Sequence, residues 1–165
     1  MSGHHIENTT AVAVGTPPAG YEYSHEQMRS VEVHFHNFTH LPSESYDQVF
    51  SPEFTCLGRQ WKLELNPGGR SNPTKIAILL HLCSSESIEL EEFSFSVKKY
   101  GKLIAHWSGN YEFEGEEADG SMEFAKRSKL IDARVEGTLI IEVQMKLLKG
   151  TGTRAPPLFI PENPL

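Results

Sequence analysis

Histidines offer the most direct chemistry in this sequence. His34 and His36 are two residues apart in "VEVHFHNF". Side chains with that spacing in a strand point to the same face, so the pair could share a zinc or iron ion. Further ligands must come from elsewhere in the chain, and the loose candidates are His81, or His106 with Glu112. Solvated strand histidines explain such a pattern more often, so we expect no bound metal and no cofactor.

Nucleophilic catalysis has no recognisable motif here. The sequence has no Gly-x-Ser-x-Gly elbow and no phosphate-binding glycine-rich loop. Cys56 and Cys83 do not form a Cys-x-x-Cys pair, so they do not indicate a structural zinc site. We therefore expect a protein that is not an enzyme. A His-dependent metallo-β-sandwich is the alternative from a different functional class.

Size and charge narrow the possible partners. The chain has 165 residues, which suits one domain with tails, and a formal net charge of -7. Such an acidic chain is a poor general partner for nucleic acid or for an anionic membrane. The first residues carry no apolar segment of the secretory kind, and no apolar run approaches membrane-spanning length. We expect an intracellular protein of the nucleus or cytoplasm.

Alternation of apolar and polar residues predicts an all-β fold. It is clearest in "VEVHFHNF", "WKLELN", "EEFSFSV" and "GTLIIEVQMKL", and "KIAILLHLC" reads as a more deeply buried strand. "LIAHW" and "YEFE" are two further short candidates, and "MEFAKRSKLID" is the one candidate for a helical turn. Seven to eight strands at short spacing, without a sustained helical period, are typical of an antiparallel β-sandwich.

Composition divides the chain into three parts. Residues 1–30 mix small residues, proline and glycine without periodicity, which predicts a flexible N-terminal tail. Residues 31–147 carry the alternating pattern of the sandwich. Residues 148–165 are rich in glycine and proline, which predicts an extended C-terminal linker.

An ordered set of short motifs resembles the MATH (meprin and TRAF homology) domain. The motifs span about Val31 to Leu147, and their order carries more weight than any one of them. They are Phe38, Ser51–Phe54, Gly58–Trp61, Asn66–Gly69, Ile76–Leu82, Phe93–Val97 and Gly137–Leu147. The resemblance implies an eight-stranded antiparallel β-sandwich of the TRAF/MATH kind.

The resemblance is greatest to the speckle-type POZ proteins, in which a MATH domain precedes a BTB domain. It implies a protein-interaction module that binds short extended peptides of substrate proteins, as the substrate-recognition domain of a cullin-type ubiquitin ligase adaptor. A cullin ligase would be a partner only if a BTB domain follows in the full-length protein. The alternative is a TRAF-like oligomeric signalling scaffold, which usually needs a coiled-coil stalk, and the N-terminal residues show no heptads.

The family's peptide groove can be carried over residue by residue. Its leucine-strand position, often tyrosine, falls on Leu79, and two of its aromatic positions are kept as Phe93 and Tyr111. Its Lys-Asp-Trp-Gly-Phe segment falls on "EADGS", where aspartate and serine replace the two aromatics. The resemblance thus implies these peptide-binding residues: Leu79, Phe93, Tyr111, Glu117, Asp119, Gly120 and Ser121.

This departure predicts an altered specificity. Each lost ring should weaken apolar anchoring by about 1–3 kcal/mol. The acidic residues Glu114, Glu116, Glu117 and Asp119 should favour basic peptides over acidic ones. Simpler interpretations remain open, because Phe93 fits a core position about equally well and an acidic segment is most often a solvated loop.

Overall fold

The computed structural model of the chain describes residues 9–14 and 28–148. These residues form two antiparallel β-sheets around one core, which confirms the predicted all-β sandwich. The described part contains ten strands rather than seven or eight, together with one short α-helix and a single 3-10 turn. None of its helices has the length and apolar character that a membrane span needs.

The elements follow one another along the chain. They are β1 (Thr9–Val14), β2 (Met28–Phe35), the 3-10 turn (Phe38–His40), β3 (Val49–Phe50), β4 (Phe54–Cys56), β5 (Arg59–Asn66), β6 (Lys75–Leu82), β7 (Ile88–Lys99), β8 (Lys102–Phe113), β9 (Ala118–Lys126), α1 (Arg127–Asp132) and β10 (Leu139–Leu147).

The topology leaves two consecutive strands at sheet edges. The first sheet has the order β1-β2-β10-β7-β8, so β8 is one of its edges. The second sheet has the order β3-β5-β6-β9, with β4 also paired to β5, so β9 is an edge as well. Residues 114–117 join β8 to β9 directly. The two edges therefore lie on the same flank of the sandwich.

Aromatic side chains fill the space between the sheets. Phe93 and Phe95 of β7 are completely buried, and both rings contact Trp107 of β8 at 5.3 Å between centroids. Trp61 of the second sheet meets Phe113 of the first sheet edge-on at 5.2 Å. Trp61 also donates a hydrogen bond from Nε1 to the carbonyl oxygen of Cys56 at 2.9 Å, which satisfies its polar atom inside the core.

The N-terminal boundary differs from the prediction. Strand β1 lies inside the stretch that was assigned to a flexible tail, and β2 begins at Met28 rather than Val31. Strand β1 pairs with β2 from Thr9 opposite Phe35 to Val14 opposite Ser30. An edge strand needs only this backbone pairing, and "TTAVAV" gives no polar and apolar alternation that could reveal it. Residues 1–8 and 15–27 lie outside the described ranges.

The predicted C-terminal linker lies outside the described residues except for Leu148. The backbone nitrogen of Leu148 donates to the carbonyl oxygen of Glu89 at 3.2 Å, which extends the pairing between β10 and β7.

Two segments near the candidate site also differ from their predictions. "LIAHW" and "YEFE" belong to the single strand β8. Of the acidic residues, Glu114, Glu116 and Glu117 lie in the turn between β8 and β9, as a loop would place them, whereas Asp119 lies in β9. The helical turn is confined to Arg127–Asp132, because the residues before it continue β9 to Lys126. Strands β8 and β9 are both edge strands, in which buried and exposed positions contrast least.

We predict that Phe93→Ala lowers the free energy of unfolding by about 3–5 kcal/mol, because it leaves a cavity in the aromatic core. Leu103→Ala is the control, since Leu103 lies on β8 with 52% of its surface exposed and should change stability by less than about 0.5 kcal/mol. Urea unfolding measures both variants. Equal, small losses would show that Phe93 does not support the core.

Candidate functional site

Strand β9 presents an unpaired backbone edge. The backbone nitrogen of Leu82 donates to the carbonyl oxygen of Glu117 at 2.9 Å, and Leu80 pairs with Asp119 further along the ladder. Because antiparallel pairing alternates, the peptide groups of Ala118 and Gly120 point away from β6. No strand in the described part of the chain pairs with β9 on that side. The N–H and C=O of Ala118 and the C=O of Gly120 are available to an added strand, whereas the Gly120 N–H is bonded to the Asp119 carboxylate.

A group of polar side chains borders this edge. Asp119 and Ser121 lie opposite Leu80 and Ile78 and so share the core-facing side of the second sheet. Tyr111 comes from the neighbouring edge strand β8. We call Tyr111, Glu117, Asp119 and Ser121 the edge cleft.

The Tyr111 side chain makes contacts through both its ring and its hydroxyl group. Its ring packs edge-on against the buried ring of Phe113, with 4.8 Å between centroids. Its hydroxyl donates a hydrogen bond to Oε1 of Glu117 at 3.1 Å. The same oxygen accepts the backbone N–H of Glu114 at 3.1 Å, which closes the turn between β8 and β9. The turn therefore fixes the Glu117 carboxylate beside the tyrosine.

The charged groups that act on Tyr111 in the edge cleft are all acidic. The hydrogen bond to Glu117 raises the pKa of Tyr111, and the charges of Glu117, Asp119 and Glu114 act in the same direction. Burial raises the pKa of Asp119, and a hydrogen bond from the backbone of Gly120 opposes that shift only in part. The salt bridges found in the described ranges involve neither Glu117 nor Asp119.

The structure brings together only some of the residues predicted for the groove. Tyr111, Glu117 and Asp119 lie close enough to interact, whereas Ser121 shares their side of the sheet but is only 8% exposed. Gly120 contributes its backbone, because a Cβ atom at this position would overlap the carbonyl oxygen of Ile78 in the adjacent strand.

Leu79 and Phe93 do not belong to the edge cleft. Leu79 lies between Glu64 and Gly120 on the outer face of the second sheet, as its strand position predicts, but it is only 6% exposed. It is therefore not the open apolar position that we expected. Phe93 is completely buried against Phe95 and Phe113, so the core interpretation applies.

Sequence reasoning missed a buried carboxylate on the same outer face. The Glu64 side chain is 1% exposed. Its Oε1 lies 2.7 Å from Nε2 of His81, and its Oε2 accepts hydrogen bonds from Asn66 at 2.9 Å, Arg70 at 3.0 Å and Gln48 at 3.1 Å. The alternation of "WKLELN" correctly predicts that Glu64 faces away from the core, but it contains no sign that other side chains cover it.

The covering side chains themselves form a small cluster. The ring of Phe50 meets that of His81 edge-on at 5.3 Å, and Nζ of Lys62 lies 4.4 Å from the centroid of Phe50. Burial by itself would raise the pKa of Glu64, but the hydrogen bonds from His81, Asn66 and Gln48 outweigh it and lower this pKa to about 2. The fully bonded carboxylate therefore acts as a structural centre for this face.

The histidines of the metal hypothesis do not converge. The ring of His34 on β2 lies 6.0 Å from that of His36, which follows the end of β2, whereas His81 belongs to the second sheet and is bonded to Glu64. His106 lies on β8. In the two described ranges, no three histidine, cysteine, aspartate or glutamate side chains are grouped so that they could hold a metal ion. The hypothesis gains no support from these residues.

Comparison with models of known protein families gave no match, and comparison with curated protein sequences gave none either. The likeness to the MATH domain rests on the ordered motifs in the sequence and stays a prediction.

We predict that Glu64 makes stability depend on pH. A pKa lowered from 4.5 to about 2 stabilises the fold above pH 4.5, and this contribution is lost as the pH falls toward 2. Its full size is about 3 kcal/mol. Glu64→Gln should be less stable at neutral pH and should converge with the unmodified protein in acid. Urea unfolding across this pH range measures the difference, and parallel profiles would contradict the assignment.

Proposed function

We propose that this protein is an interaction module that binds short extended segments of partner proteins by adding them as a strand to β9. The observation that carries the proposal is the unpaired edge of β9 beside the edge cleft. Main-chain hydrogen bonds to such an edge provide affinity, and the side chains along it provide selectivity.

The composition of β9 favours strand addition. Proteins usually protect exposed edges with proline, lysine, bulges or covering loops. Ala118 and Gly120, whose peptide groups point outward, have the smallest side chains, and the first register shift in the pairing to β6 comes only after Ser121. A partner strand can therefore approach the first part of β9 closely.

The wider biological role is proposed from the sequence resemblance. The ordered motifs between Val31 and Leu147 support a MATH-like domain, and the candidate site lies within that span. On this basis the bound segments belong to substrate proteins of a cullin-type ubiquitin ligase adaptor. The cullin itself would be reached only through a BTB domain in the full-length protein.

We predict that Ala118→Pro weakens peptide binding by about tenfold, because proline removes one outward N–H and sterically hinders a paired strand. Ala118→Thr is the matched control, since it keeps the N–H and suits an exposed strand. Binding is measured by titrating the ¹⁵N-labelled chain with a degenerate heptapeptide mixture and following its amide resonances.

Shifts should be largest at Ala118 and Gly120 and should be reduced in the proline variant alone. The spectrum of each free variant shows whether the fold is retained. If the mixture causes no shifts at millimolar concentration, or only shifts far from β8 and β9, the proposed function is wrong.

A further inference from the structure

We infer, on the premise of the strand-addition function proposed above, that the edge cleft is a subsite for one cationic side chain, lysine or arginine, of the added strand. The inference rests on the placement of Tyr111, Glu117 and Asp119 relative to the free edge of β9. It narrows the ligand class from extended peptides in general to those with a basic residue at one position.

The direction of the ligand's side chains follows from strand geometry. A strand added to β9 continues the second sheet, so alternate side chains point to its core-facing side. That side of β9 carries Asp119, the turn before β9 supplies Glu117, and the neighbouring edge strand supplies Tyr111. Every second ligand side chain that lies along this part of β9 therefore enters the edge cleft.

The charge of the edge cleft selects what can enter. An apolar ligand side chain would cover the Asp119 carboxylate and leave it without a charged partner, which is unfavourable. An acidic side chain would be repelled by both carboxylates. Lysine or arginine can form charge-assisted hydrogen bonds to Asp119 and Glu117 and can lie against the ring of Tyr111. Among the described residues no salt bridge already neutralises either acid.

The position of Asp119 on an edge strand gives an independent argument. A charge that points inward at a sheet edge discourages indiscriminate pairing with other strands. Asp119 is half-buried, so its carboxylate is already partly withdrawn from water. A strand that does pair with β9 must compensate this charge, and a basic side chain does so directly. Asp119 therefore disfavours pairing with most strands and favours a strand that carries a basic side chain.

The test uses three degenerate heptapeptide libraries that differ only at the central position, which is arginine, citrulline or glutamate. Citrulline has nearly the shape of arginine but no charge. Each library is titrated into the full chain, into Asp119→Asn, into Glu117→Gln and into Glu112→Gln. Glu112 is the matched control, because it is exposed on β8 and alternates with Tyr111 and Phe113, so it faces away from the edge cleft.

We expect the arginine library to bind about 3- to 10-fold more tightly than the citrulline library, and the glutamate library to bind most weakly. Asp119→Asn should remove most of the arginine preference, Glu117→Gln part of it, and Glu112→Gln none. The preference of the unmodified chain for arginine over citrulline tests the cationic subsite by itself, so the test does not depend on the folding of any one variant.

The other possible outcomes distinguish the cationic subsite from the strand-addition function. Equal binding of all three libraries would overturn the cationic subsite and leave strand addition intact. An arginine preference that persists in both Asp119→Asn and Glu117→Gln would overturn its placement in the edge cleft. Failure of every library to bind would overturn the proposed function together with the subsite.

Discussion

The aromatic packing around Phe93 is the contact on which the rest of this structure depends. Phe93 meets Trp107 and Phe113 within the first sheet, and Phe113 in turn meets Trp61 of the second sheet at 5.2 Å. Aromatic pairs of this kind stabilise a fold beyond the area they bury. Phe113 also contacts Tyr111, so the same packing that joins the sheets positions the tyrosine of the edge cleft. The candidate site is therefore built on a rigid core rather than on an independent loop.

Two acidic side chains on the second sheet lie in contrasting environments. Glu64 receives four hydrogen-bonding partners, and its pKa falls to about 2. Asp119 has a hydrogen bond from the backbone of Gly120, and burial raises its pKa. A fully bonded carboxylate stabilises its own surroundings. A partly buried carboxylate that has no salt bridge, such as that of Asp119 among the described residues, can be neutralised by a positively charged ligand group.

The sequence predicted the strands that bury one face and expose the other. Alternation located β2, β5, β6, β7 and β10, because those strands lie within the sheets and contrast core with surface. It missed β1 and divided β8, because edge strands carry less of that contrast. In the candidate site, the resemblance identified Tyr111, Glu117 and Asp119, which the fold brings together. It also named Phe93 and Leu79, which the fold places elsewhere.

The sequence by itself determined the class of fold, the face that most strand residues occupy and the acidic character of the segment after β8, because these follow from composition and a period of two. Only the tertiary structure decided which outward residues are covered. Leu79 and Glu64 both point away from the core, as their positions predict, and both are nevertheless buried. Alternation specifies the direction of a side chain along its own strand. What lies above that side chain depends on residues from other strands and loops, such as His81 and Gln48 over Glu64, and so appears only when the chain has folded.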